Sequence, residues 1–225
     1  MTVYKGSAAQ SELSQGSNAF AEGYKGSQKV YAKSGGIPTF GTRLNNMCTV
    51  VGTITDSVGQ DLVYAVLDSS YRTTNSYKWG TSTSLDTSLV NYTLDNWQTD
   101  PNSATENVNI ILNNYDPSAF PAFNFARNAG TITIKGTPYN SQLPNLTELW
   151  EIAAHIAELD SLDPTTTKKL SSIGMGTWSS QESSGFYGFD IYNFANNNTR
   201  RTSTGIKSIE FPVIPIFEIP VSAFM

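Results

Sequence analysis

Apolar and polar positions divide the chain into a first stretch without periodicity and a long remainder that switches between strand-like and helical spacing. Residues 1–40 are rich in Ser, Gly, Ala and Gln and lack the pattern that specifies a core. Within them Tyr4-Lys5-Gly6-Ser7 returns as Tyr24-Lys25-Gly26-Ser27, which runs on through Gln28-Lys29-Val30-Tyr31. Each copy predicts a short strand with a Gly-Ser turn, too short to be stable alone. Such a segment either folds by adding to a partner chain or sheet edge or stays a flexible tail. A hinge is expected at Gly35-Gly36-Ile37-Pro38, giving an arm over 1–40 and a domain over 41–225.

In the domain, Val50–Ile54 and Leu62–Leu67 read as strands joined by a turn at 57–60. Residues 68–101 read as a long irregular excursion that is too rich in aromatics to be disordered. Ser103-Ala104-Thr105-Glu106 has capping-box spacing, with Val108, Ile111, Leu112 and Tyr115 following at helical intervals. A second helix is expected over 118–128, stopped by Gly130, and then Thr131–Ile134 alternates as a half-buried strand does. Asn145 and Glu148 frame the start of a helix predicted over Leu146–Leu159. Its apolar stripe is Leu146, Leu149, Trp150, Ala153, Ile156 and Ala157, with His155, Glu148, Glu151 and Glu158 on the solvated side. Asp163-Pro164 is expected to open a further short helix. Strands follow over Phe186–Phe194 and Ile206–Phe217, with a turn at Asn196-Asn197-Asn198. The prolines from Pro212 to Pro220 place the last segment at a sheet edge or make it an extended packing strand. The fold class is α+β.

Composition narrows the partners. Charged residues are 15% of the 225, below the ~25% usual for soluble domains, and uncharged polar residues replace them. The net charge of −5 and the lack of a basic cluster beyond Arg200 and Arg201 exclude a general nucleic-acid binder. A lone cysteine, Cys48, rules out an intrachain disulfide and is expected to be buried. The first residues have no basic start followed by an apolar block, and no run reaches the ~20 apolar residues of a membrane helix. A soluble protein made in a cytoplasm is expected.

Leu143-Pro144-Asn145-Leu146-Thr147-Glu148-Leu149-Trp150 resembles a helix start shared by a group of phage and gut-bacterial domains. Thr177-Trp178-Ser179-Ser180-Gln181-Glu182 resembles their Tyr-Trp-Ser-Ser-Thr-Glu block. The two blocks they resemble occur in the C-type-lectin-like superfamily, which includes formylglycine-generating enzymes and variable phage tropism proteins. Supporting pieces fall in family order: Val63–Asp68 ahead of Trp79-Gly80, and Phe125–Gly130 ahead of a strand. The resemblance spans roughly residues 60–217. The arm phrase resembles segments of phage virion proteins, including head-fibre and collar proteins of crAss-like phages. The family's closing Arg-Pro-Val phrase is Glu210-Phe211-Pro212-Val213 here, so that arginine's role does not carry over. Within the resembled family Trp178 is core and the hydroxyls of Ser179 and Ser180 close a turn.

Candidate chemistry is sparse. Formylglycine generation in this fold is cysteine-dependent copper chemistry, and one thiol does not supply the soft ligands it needs. The calcium-lectin phrases are missing, and Asp56, Asp61 and Asp68 lack the loop spacing of a calcium site. One His and one Cys do not make a zinc site. No cofactor, metal or catalytic residue is expected, and the protein is read as non-enzymatic. Two recognition surfaces are candidates, because exposed Tyr, Trp and Arg dominate interface hot spots: Tyr71, Arg72, Tyr77 and Trp79, and the tip formed by Asn196, Asn197, Asn198, Arg200 and Arg201. The attachment or oligomer contact is assigned to Tyr4, Lys5, Gly6, Tyr24, Lys25, Gly26, Val30 and Tyr31.

The resemblance implies a structural bacteriophage virion protein, a head fibre or a capsid or collar decoration. Its arm docks on capsid, portal or collar proteins while the lectin-like domain faces out from the virion surface. A homo-oligomer is expected, a trimer first and a dimer second. A module that binds a host surface glycan or receptor is the alternative, and a formylglycine-generating-type enzyme stands third.

Overall fold

A computed structural model describes residues 36–72, 75–81, 92–165, 167–174 and 176–225, together with the backbone of short strands between residues 3 and 29. In the arm these strands are β1 (Val3–Lys5), β2 (Ala8–Gln10), β3 (Ser14–Gln15), β4 (Asn18–Ala19), β5 (Tyr24–Lys25) and β6 (Gln28–Lys29). They pair as three antiparallel hairpins, β1 with β2, β3 with β4 and β5 with β6. The middle hairpin is a finding beyond the two copies visible in the wording of the sequence.

The domain opens with β7 (Arg43–Leu44), β8 (Cys48–Thr55) and β9 (Asp61–Leu67). The β8–β9 turn forms as the sequence predicts, because the Asp56 carboxylate accepts the N–H groups of Val58 and Gln60 at 3.1 and 2.7 Å. These strands join β17 (Ile216–Pro220) in the order β17-β9-β8-β7. The proline-punctuated segment is therefore an edge strand, where a missing N–H does least harm. Successive side chains of a strand point to opposite faces, and this sheet uses both. Val51, Tyr64 and Val66 enter one buried cluster, while Val50, Val63, Ala65 and Leu67 enter another on the far side.

Next come β10 (Tyr77–Lys78), α1 (Ala104–Asn114), α2 (Pro121–Asn128), β11 (Thr131–Ile134) and β12 (Thr137–Asn140). The helix expected over 118–128 begins at Pro121, after a short turn at Pro117–Ala119. At the start of α1, the Ser103 hydroxyl accepts the Glu106 N–H and the Glu106 carboxylate accepts the Ser103 N–H at 2.7 Å. A cap of this kind contributes about 1 kcal/mol.

The helix expected over Leu146–Leu159 is two helices, α3 (Leu146–Ala154) and α4 (Ile156–Leu162). His155 breaks the run with φ −114° and ψ 25°, its N–H donating to Ile152. The break redirects the apolar face: Ile152, Ile156 and Leu159 are buried and Ala157 is exposed. His155 is half-buried against Phe40. Asp163-Pro164 does not start a helix. The Asp163 carboxylate accepts the N–H groups of Ser69 and Thr165 instead, tying the end of α4 to the chain after β9.

The remaining strands are β13 (Thr177–Ser184), β14 (Tyr187–Tyr192), β15 (Arg201–Ile206) and β16 (Glu210–Phe211). A three-stranded sheet runs β13-β14-β15, and β10 pairs with β16. Ser179 and Ser180 lie inside β13 rather than closing a turn; the Ser179 hydroxyl donates to the Phe189 carbonyl at 3.0 Å. Trp79, Trp178, Phe120 and Phe123 fill a third cluster between this sheet and the helices α1 and α2. The fold is α+β. Among the described residues no helix is long and apolar enough to cross a membrane.

Candidate functional site

The β14–β15 connection forms a polar tip of the domain. Asn193 leaves β14 in the left-handed region at φ 52°, a conformation that asparagine tolerates. The Asn196 carbonyl then accepts the N–H groups of Thr199 and Arg200 at 3.1 and 2.8 Å, and its side-chain oxygen accepts the Asn198 N–H at 3.1 Å. These local bonds hold Asn196, Asn197 and Asn198 out in solvent.

Both arginines of the tip lie over aromatic rings. The Arg200 guanidinium sits 5.9 Å from the Trp150 ring centre while its Nε donates to the Phe194 carbonyl at 2.7 Å. Arg201 sits 5.2 Å over Tyr192. Trp150 is half-buried and donates its indole N–H to the Thr202 hydroxyl at 2.8 Å. The tip thus presents amide groups beside a Tyr–Arg pair, which suits hydrogen bonding and stacking with an uncharged polar ligand.

The other candidate surface does not form. Trp79 is completely buried, its indole N–H donating to the Ser179 carbonyl at 2.8 Å and its ring meeting Phe123 edge-on at 4.8 Å. Arg72 is buried as well. Its guanidinium donates twice to the Leu67 carbonyl, at 2.9 and 2.8 Å, and lies 3.6 Å from Asp163. Tyr77 is half-buried and stacks on Phe125 at 4.6 Å, and Tyr71 packs against the cluster on the far face of the β17-β9-β8-β7 sheet. The excursion is anchored through its aromatics rather than displaying them. Of the arm residues, Tyr4, Lys5, Tyr24 and Lys25 belong to paired strands, and Gly6, Gly26, Val30 and Tyr31 lie outside the described residues.

Several buried ionisable groups escaped sequence reasoning. Lys207 and Glu182 form an ion pair that is sealed from solvent, and the Lys207 ammonium also sits 4.4 Å from the Trp79 ring centre. Asp190, on β14, is pushed up to about 7 by burial, with Arg201 opposing the shift. Glu148 is raised well above the usual carboxyl range by burial first and the neighbouring Glu218 second. Burial would also raise Asp163, but the N–H groups of Thr165 and Ser69, the Thr165 hydroxyl and Arg72 together hold it low. The one sequence signal for such a site is Asp190 itself, a charge set between Phe189 and Ile191. Cys48 is buried as expected, and burial pushes its thiol up to about 12. Among the described residues no group of three or more His, Cys, Asp or Glu side chains could hold a metal.

Comparison with known protein families, curated proteins and solved structures gave no match.

Proposed function

We propose that this chain is a structural protein of a bacteriophage particle, a head fibre or a capsid or collar decoration. The arm docks on a capsid, portal or collar protein, and the domain is displayed on the virion surface as a homo-oligomer, trimer before dimer. The domain is non-enzymatic and takes no cofactor.

The observation that carries this reading is the contact between the two blocks that resemble the lectin-like group. Ser180 of the second block donates its N–H to the Pro144 carbonyl of the first at 2.7 Å. The N–H of Leu146 in turn donates to the Gln181 side chain at 2.9 Å. Residues whose order in sequence suggested a common ancestry thus form one joint, and Glu182 of that joint is tied to Lys207. The separate two-stranded hairpins of the arm support an attachment role, since pairs of such short strands are not stable alone.

The test is incorporation into particles. Chain lacking residues 1–35 is expected to fold and to be missing from purified particles; if it is incorporated as well as the full chain, the docking role is wrong. The tip favours a second reading, a module that binds a host surface glycan, because Arg201 over Tyr192 stands beside three exposed asparagines. Saturable binding to a capsular polysaccharide that Arg201→Ala abolishes would support it, and flat binding would count against it.

A further inference from the structure

The arm's hairpins recur every ten residues. Lys5 pairs with Ala8, Gln15 with Asn18 and Lys25 with Gln28. In each case the two residues between the strands are Gly-Ser: Gly6-Ser7, Gly16-Ser17 and Gly26-Ser27. Two-residue connections that start with glycine are among those that suit the twist of a hairpin. The middle unit has Ser14-Gln15 where the outer two have Tyr-Lys. The period therefore belongs to the backbone unit and its connection, as in other repeat architectures.

Each hairpin is a sheet of only two strands, so among the described residues no strand lies along its outer edges. Two or three residue pairs do not hold a hairpin together in water, and open strand edges are templates for further strands. Residues 1–35 are also too poor in large apolar side chains to build a core by themselves. A repeat unit that is unstable alone becomes stable by stacking or pairing with more of its kind. What completes all three units at once has to offer strands at the same ten-residue spacing. Another copy of this arm does so by construction, whereas an unrelated partner strand would engage one hairpin and leave the period without a role.

We propose that residues 1–35 pair with the arms of other copies of this chain, hairpin against hairpin, and that this pairing makes the protein a homo-oligomer. The inference takes from the proposed function only the idea that the arm is the associating segment. It names the partner as a second copy and locates the contact in the repeat instead of the domain.

The experiment is mass determination by light scattering and sedimentation velocity on three proteins. These are the full chain, the chain lacking residues 1–35, and the triple substitution Ala9→Pro, Asn18→Pro, Gln28→Pro. Proline removes one N–H from each hairpin, whichever edge that group faces. The full chain should have an integral multiple of the single-chain mass. Both variants should run as single chains and melt at the same temperature as each other. A monomeric full chain overturns the proposal, as does an oligomer that survives either change. The outcome is separable from particle docking: an oligomer missing from particles sinks the docking role alone, and a monomer found in particles sinks this proposal and the oligomeric state while leaving the docking role standing.

Discussion

The substitution Glu148→Gln tests the most unusual feature of the interior, a carboxyl group that the fold keeps protonated. Glu148 lies at the third position of α3 with no exposed surface, and its Oε2 accepts the Asn145 N–H at 2.9 Å. No donor is aimed at its Oε1, and the Glu218 carboxylate is a close neighbour of the group. A proton on Oε1 answers both problems, since it cancels a buried charge and donates to Glu218. Glu218 is itself occupied, accepting the N–H groups of Ala104 and Thr105 at 2.9 and 2.7 Å. Burial and Glu218 therefore raise the Glu148 pKa in the folded state, with the Asn145 N–H opposing. In the unfolded chain the value returns to about 4.3. The folded state then binds more protons than the unfolded one between these two values, so stability falls as pH rises. This contribution is complete below the unfolded value and is lost as pH climbs to the folded one, by about 1.4 kcal/mol per pH unit inside that window. The substituted glutamine keeps an acceptor for Asn145 and a donor for Glu218 but cannot ionise. Urea unfolding of both proteins, stepped from about pH 5 to about pH 8, isolates the effect, because other groups such as Asp190 cancel in the difference. Wild-type stability should decline against that of the variant as pH rises. A difference that stays flat across the range would show that Glu148 is not held protonated, and the account of its contact with Glu218 would be wrong.

Two further substitutions probe the cluster around Trp79. Lys207→Met removes the ammonium that pairs with the buried Glu182 carboxylate, and side-chain exposures of 1% and 0% for the pair set the expected cost at about 3–5 kcal/mol in urea melts. Adding Glu182→Leu should recover most of it, and a single variant of near wild-type stability would refute the view of the pair as sealed. A Cβ at Gly188 would lie 2.7 Å from the Trp79 ring, so Gly188→Ala should lower stability by about 1–3 kcal/mol. Alanine ordinarily improves on glycine within a strand, so a rise in melting temperature would falsify the close approach.

What could be read from the sequence was local. Both capping boxes were legible because Ser103 with Glu106 and Asn145 with Glu148 need only a spacing of three and the right side chains. The β8–β9 hairpin and the edge position of β17 were legible from β-rich runs around a turn and from proline for the same reason. Trp79 was misread because residue type alone does not separate an exposed anchor from a core ring. Its burial depends on Phe120, Phe123 and the Ser179 carbonyl, all distant in sequence. Glu148 was placed on the solvated face by helical periodicity, yet the capping geometry turns its carboxyl inward, and Glu218 arrives there from the far end of the chain. The break at His155 was hidden because a continuous stripe and a kinked one share the same apolar residues up to Ile156. The middle hairpin was within reach, since Gly16-Ser17 stands ten residues from both of its counterparts.

The low charge content fits how the interior is built. Uncharged polar side chains do much of the joining between irregular segments: Asn107 reaches Ser180 at 3.3 Å, Asn102 reaches Asn107 at 3.1 Å, and Gln181 spans from Leu146 to the Trp97 carbonyl at 3.1 Å. Bonds of this kind fix which loop meets which strand, because each one left unmade strands a buried polar group. The tip is built differently. Asn196 and Asn198 bond within their own turn, and Asn197 points to solvent. Substitutions at Asn197 or Asn198 therefore leave the three clusters and the Ser180–Pro144 joint untouched, and surface changes of this kind stay within about 0.5 kcal/mol. A domain so divided can change what its tip presents without refolding its frame, which is the property the proposed role on a particle surface would require.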